Sequence, residues 1–307
     1  MKRTAVILAI LSMAVWAAAQ NAGQPAQQNP PATGKATPAQ GTTPGAPAAP
    51  QAKRAPQAKT TAEFEAWKAA SASADVAALE KAADDFATKV PDSELRILLY
   101  QNAMRLYQNA NNAEKTEAMG RKVLSLDGDN PEALVIVAQV IAEKTRDSDI
   151  DKDQRFSEAS SMAQKATQTV DTDVQVPAGT PQDKIDQYKA LLRSNAYEAL
   201  GTIEFKKENY LAAQENLQKS IDAFPSNPDP VVVLRLALAI DKQATADSAD
   251  RDKQAKLYAE ALKVANRAVE ISKDQPAILN PAMKERDRLQ QLTGSAAPAQ
   301  PPTPPKN

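Results

Sequence analysis

The 307-residue chain contains no cysteine and no histidine. The first absence removes disulfides, thiol nucleophiles, thiolate zinc sites and the lipid-bearing cysteine of a bacterial lipoprotein. The second removes imidazole ligation of haem and both the Ser-His-Asp and Cys-His catalytic arrangements. Imidazole is also the usual proton carrier near neutral pH, so acid–base chemistry would fall to carboxylates or lysines with displaced pKa values. Only five Phe and two Trp are present, and β-branched residues rarely alternate with polar ones, so strand signals are almost absent from 62 to 293. Nine glycines are scattered along the chain and none belongs to a G-x-x-x-x-G-K phosphate loop. The expectation is a protein that is not an enzyme and that holds no cofactor and no metal.

The termini differ in kind from the middle. Lys2 and Arg3, an apolar run from Thr4 to Trp16, and Ala17-Ala18-Ala19 before Gln20 form the pattern of a cleaved export signal over 1–19. Thr4 to Ala19 is sixteen residues, short of the roughly 20 that a membrane-spanning helix needs. Nothing later resembles a span, so no integral membrane segment is expected after signal cleavage, and the protein is expected to be periplasmic or secreted. Residues 20–60 are rich in Ala, Pro, Gln, Gly and Thr and nearly free of large apolar side chains. Such a stretch buries too little surface to offset its ordering entropy and reads as a disordered leader. The tail 294–307 reads the same way.

Charge is unevenly placed. The leader carries Lys35, Lys53, Arg54 and Lys59 with no acid, four dispersed charges that read as keeping a linker soluble. All 38 acids fall within 61–293, against 30 basic residues there. An acidic core argues against nucleic acid as a partner.

Across 62–293, alanine is abundant and apolar residues recur at spacings of three and four, as in LRILLYQNAMRLY (95–107) and AEALKVANRAVEI (259–271). That is the period of amphipathic helices. Pro91-Asp92, Asp129-Asn130-Pro131, Pro225-Ser226-Asn227-Pro228 and Asp274-Gln275-Pro276 punctuate it, each ending one helix and starting another. The clearest unit is the 34-residue stretch Ser194 to Asn227. Its Tyr197, Leu200, Gly201, Ala213, Leu217 and closing Pro225 resemble the tetratricopeptide repeat pattern W-x2-L-G-x2-Y, A-x3-F, P. Glu204 departs from the expected aromatic, and Ser220 stands where a small residue is common. Small Gly201 and Ala213 let two antiparallel helices approach, Tyr197 and Leu217 fill space between hairpins, and Asn209-Tyr210 marks the turn.

Ile97 to Asn130 is a weaker 34-residue match containing Tyr100 and Tyr107. From Pro131 and again from Pro228 come longer hairpins with similar polar inserts, Thr145-Arg-Asp-Ser and Thr245-Ala-Asp-Ser. Residues 62–90 read as a degenerate first hairpin, with Phe64 and Trp67 in packing roles, and 277–292 as a final capping helix. The resemblance implies an all-α protein over 62–293: a right-handed solenoid of antiparallel, tetratricopeptide-like helix hairpins with a C-terminal capping helix. It also implies capture of a protein or peptide on the concave face built from each hairpin's first helix. A self-assembling structural component of the cell envelope is the alternative.

With 194–227 as template, the concave set is Asn195, Glu198 and Thr202, joined by Val232, Leu236 and Ala239 after it and by Gln101, Arg105, Val135 and Gln139 before it. This set lacks the Lys/Asn/Arg clamp with which some family members hold a C-terminal carboxylate. The helix 231–240, VVVLRLALAI, has Arg235 as its only polar residue. It is either an apolar anchor site or a core helix covered by the capping helix or by an insert at 241–256. Asp147, Asp149, Asp151, Asp153 and Glu158 resemble a calcium loop. Lys152 stands where that loop needs glycine, so the acids read as a solvated loop before a helix N-terminus.

Overall fold

The computed structural model describes residues 53–73, 75–177, 179–246 and 249–295. The expected export signal, residues 20–52 of the leader and the tail beyond 295 lie outside them. The described residues form eleven helices and no strands. In chain order these are α1 (Thr61–Ser71), α2 (Val76–Lys89), α3 (Arg96–Asn109), α4 (Ala113–Leu126), α5 (Pro131–Lys144) and α6 (Lys152–Thr169). There follow α7 (Gln182–Lys206), α8 (Tyr210–Ala223), α9 (Pro230–Ala246), α10 (Arg251–Ile271) and α11 (Pro276–Ser295). Helices pack on their neighbours in sequence order: α1 on α2, α2 on α3, α3 on α4, and again α8 on α9, α9 on α10, α10 on α11. No described helix is long and apolar enough to cross a membrane.

Local chemistry sets the boundaries. Pro131, Pro230 and Pro276 each open a helix, where the missing N–H leaves no bond unmade. Thr60, Asp75, Asn112 and Asp250 cap α1, α2, α4 and α10 by accepting the backbone N–H three residues on. The polar insert expected at 241–256 is far shorter. α9 runs to Ala246, and α10 starts at Arg251 with Asp250 as its cap.

The described residues divide into two compact units, one within 53–130 and 169–188, the other within 131–168 and 189–295. Each contains one of the 34-residue hairpins, and the two hairpins turn identically. In α3–α4, Asn111 takes φ 55° and Asn112 donates to Tyr107 O at 2.9 Å. In α7–α8, Glu208 takes φ 61° and Asn209 donates to Glu204 O at 2.9 Å. Glu204 therefore occupies the place of Tyr107, and the sequence departure there replaces an aromatic with an acid at the same backbone position. The endings match as well: Asn130 donates to Asp127 O, and Asn227 to Phe224 O.

Within α7–α8 the small residues sit where close approach demands them. A Cβ on Gly201 would stand 2.7 Å from Leu217 Cγ and 3.1 Å from Leu217 N. Ala213 and Leu217 are fully buried, and the Ser194 and Ser220 hydroxyls meet at 3.1 Å across the same interface. Tyr197 is half-buried, with Lys219 Nζ 5.9 Å from its ring centre.

In the first unit, α2, α3 and α4 are tied by two similar polar rungs. Tyr100 donates to Asp84 at 2.8 Å, and Lys122 reaches the same carboxylate at 2.6 Å. Tyr107 donates to Glu80 at 2.5 Å, and Lys115 joins it at 2.9 Å. The spacing of seven that puts Tyr100 and Tyr107 on one face of α3 also puts Lys115 and Lys122 on one face of α4. Trp67 is buried and its ring lies 5.7 Å from that of Phe64.

Residues 53–60, expected as the end of a disordered leader, lie on the first unit. Lys53 pairs with Asp127, Arg54 with Glu94, and the Lys59 ammonium donates to Asp92 O. Three of the four leader charges are thus ion-pair or hydrogen-bond partners. At the other end, helix α11 continues past the expected start of the tail at 294 to Ser295.

Candidate functional site

In the second unit α5, α7 and α9 are the first helices of three successive hairpins, and a strip of polar side chains crosses them. Gln139 on α5 donates to Glu198 on α7 at 3.1 Å. One turn along α7, Thr202 accepts from Arg235 Nη1 of α9 at 2.5 Å. The other arm of the guanidinium returns to α5 and donates to Glu143 at 2.9 Å. At the end of α7, the Lys206 ammonium donates to the carbonyls of Ala142 and Glu143 at 2.7 Å each and of Thr145 at 3.1 Å. Those are the orphan carbonyls at the C-terminus of α5, so a cation there meets both the unpaired acceptors and the negative end of the helix dipole. Burial pulls the Lys206 pKa below the ordinary lysine value; Glu143 opposes that shift and Arg235 adds to it.

The helix period explains the strip. Gln139 and Glu143 are four apart on α5, as are Glu198 and Thr202 on α7, so each pair shares one face. Arg235 spans the gap because its long stem lies along neighbouring side chains while its planar fork satisfies two acceptors. Its side chain is 17% exposed, while Glu143 is 52% exposed and keeps acceptor capacity toward solvent. The strip contains no nucleophile beside a base. It is a row of oriented donors and acceptors bonded to one another, with Thr202 buried inside it and Glu143 open to solvent.

The concave-face residues read from the sequence divide into two sets. Gln139, Glu198 and Thr202 come together as above, and Asn195, half-buried, lies one turn before Glu198 on α7. Gln101 and Arg105 lie on α3 in the other unit, Gln101 buried and Arg105 half-buried. Val135, Val232 and Leu236 are 1%, 0% and 2% exposed, and Ala239 is likewise buried. As open groove residues these four are corrected, and with them Gln101 at 5% and Thr202 at 1% exposed: their surface is already taken. Val232, Leu236 and Ala239 belong to a core shared with Leu217 and Ile221 of α8, Ala261 and Ala265 of α10, and Ala282 and Leu289 of α11. An apolar helix between three helices must be apolar nearly all round.

The sequence reading missed Glu143 and Lys206 as members of the strip. Neither stands out locally, since both close a helix among other charged residues. Arg235 stands out in the sequence as the one charge in an apolar run, but the concave set read from the sequence does not include it.

In the acidic stretch, Lys152 Nζ lies 3.5 Å from Asp147, and Asp149 accepts the Arg146 backbone N–H at 2.9 Å. Asp153 and Glu158 stand on α6. Among the described residues no group of three or more acids is arranged to hold a metal ion. No protein-family model matches the chain, and no curated protein matches it.

Proposed function

We propose that the chain is an exported scaffold of tetratricopeptide-like repeats, a right-handed solenoid that captures a protein or peptide and performs no catalysis. The observation that carries this reading is the polar strip from Gln139 and Glu143 through Glu198 and Thr202 to Arg235, which crosses the first helices of three consecutive hairpins. Helical repeats use that face for partners, and fixed side chains on rigid helices lower the entropy cost of recognition. The export signal at 1–19 supports a periplasmic or secreted location, and a mature chain beginning at Gln20 is the expected product.

A photo-reactive residue at Gln139 or Glu198 tests the site in cells, with Gln218 on the exposed side of α8 as control. The strip positions should attach to one distinct protein that the control does not reach. Attachment only from Gln218, or none from the strip, overturns the assignment. Attachment of a second copy favours the self-assembling envelope component.

A further inference from the structure

We infer that residues 53–59 occupy in cis a site whose other occupant is an extended basic segment of a partner protein, with arginine in the place of Lys53. The segment KRAPQAK brings no large apolar side chain. Its polar contacts are Lys53 N–H to Thr172 O at 2.9 Å, Gln57 N–H to Glu94 at 3.1 Å, Lys59 N–H to Glu63 at 2.7 Å, and the three basic side chains, while Pro56 and Ala58 are half-buried. Lys53 Nζ lies 2.5 Å from Asp127 and 3.6 Å from Asp173; Arg54 lies 2.7 Å from Glu94. The Arg54–Glu94 pair is open to solvent, holds weakly and loosens with salt, and Lys53 keeps a third of its side chain in solvent, so the segment is exchangeable. It lies there as a bound peptide would, joined by backbone bonds and by side chains read one at a time.

The second observation is Asp127 itself. Its side chain is only 9% exposed. Oδ1 accepts from Lys53 and from the Asp129 N–H, while Oδ2 is buried with no donor. The matching position of the other hairpin is Phe224, so packing there calls for an apolar residue and a carboxylate is costly. Gln175 Oε1, two residues beyond Asp173, is another buried acceptor without a donor. Lysine presents one point of charge and leaves these oxygens unmet. A guanidinium presents a planar fork that fills both oxygens of a carboxylate. The cis segment is therefore a placeholder that a better-matched chain displaces.

The test uses the full chain and a labelled peptide, ARRAPQAKT, followed by fluorescence anisotropy at low and moderate salt. With the strap neutralised by Lys53→Ala, Arg54→Ala and Lys59→Ala, the peptide should bind at least about tenfold tighter than to the unsubstituted chain, the size of one charge-assisted hydrogen bond. Adding Asp127→Asn should abolish that gain, with the helical melting curve as a check on folding. Equal binding with and without the strap, or binding that survives Asp127→Asn, overturns the inference. Should Asp127→Asn unfold the unit, Lys53→Arg in the full chain decides. Hydrogen exchange at the residue-53 amide should slow by about tenfold, for the same added bond, and an unchanged or faster rate counts against the site.

Discussion

Gly201→Ala sets two well-characterised effects against each other. Inside a helix the change gains about 1 kcal/mol of propensity, because glycine loses the most backbone freedom on folding. Against that, the new methyl would lie 2.7 and 2.8 Å from Leu217 Cγ and Cδ2, roughly 1 Å inside the usual 3.5–4.0 Å carbon contact. Leu217 is fully buried and cannot swing away, and its backbone nitrogen at 3.1 Å blocks a simple slide of α8. Overpacking of this kind costs about 1–3 kcal/mol, and the severity of the overlap points to the upper part of that range. The net expectation is a loss of about 1–2 kcal/mol. Gly294→Ala is the internal control, since a Cβ there meets nothing within 4 Å and only the propensity gain should remain. Urea unfolding followed by circular dichroism gives both values, and unchanged slopes confirm that the same surface is exposed. In a Leu217→Ala background, Gly201→Ala should cost less by about 1 kcal/mol or more, since the two side chains compete for one space. If Gly201→Ala stabilises the wild-type chain by the amount seen at Gly294, the helices do not approach as described and the repeat reading of this hairpin fails.

Leu236→Asp should cost about 3–5 kcal/mol in denaturant titrations, as for a buried unpaired charge, and a change near zero would return this residue to the surface. Lys206→Met keeps the stem but removes three hydrogen bonds to the end of α5, and a loss of about 1–3 kcal/mol is expected by the same assay. Burial and then Asp84 push Tyr100 up to about 12, and the Glu80 hydrogen bond and then burial push Tyr107 up to about 12. Both lie above the ordinary value of 10.0. The folded chain therefore keeps protons that the unfolded chain releases. This contribution is complete below pH 10 and is lost as pH rises toward 12, and Tyr100→Phe with Tyr107→Phe should flatten the decline in unfolding midpoint.

Features that depend on neighbours within a few residues were legible in the sequence. The spacing of three and four gave the helices, proline gave their starts, and the small residues at 201 and 213 gave a close helix pair. Asn209-Tyr210 gave the turn, although the left-handed residue before it is a glutamate, which no turn preference favours. Features that depend on distant partners were not legible. The residues 53–60 carry no apolar pattern, and the acceptors of their basic side chains include Asp92 O, 33 residues away, Glu94, 40 away, and Asp127, 74 away. The burial of Val232 and Leu236 depends on how many helices surround α9. One helix's composition shows that it is apolar, but not whether its apolar side faces a partner protein or the chain's own α8, α10 and α11.

The division into two units has a consequence for how the chain can be built and cut. Neither unit is a continuous stretch: the chain passes between them at 130–131, 168–169 and 188–189, the last of these inside α7. A ribosome or a translocation channel delivers residues in order, so the first unit stays incomplete until residue 188 has emerged. By then α5 and α6 of the second unit are already out, with the remainder from 189 onward still to come. Their apolar surface, including Leu134 through Val137, has to wait without most of its native neighbours, which is the interval in which a chaperone gains a hold. For the same reason a truncation at 130 strands the first unit without 169–188, and one at 188 strands 131–168.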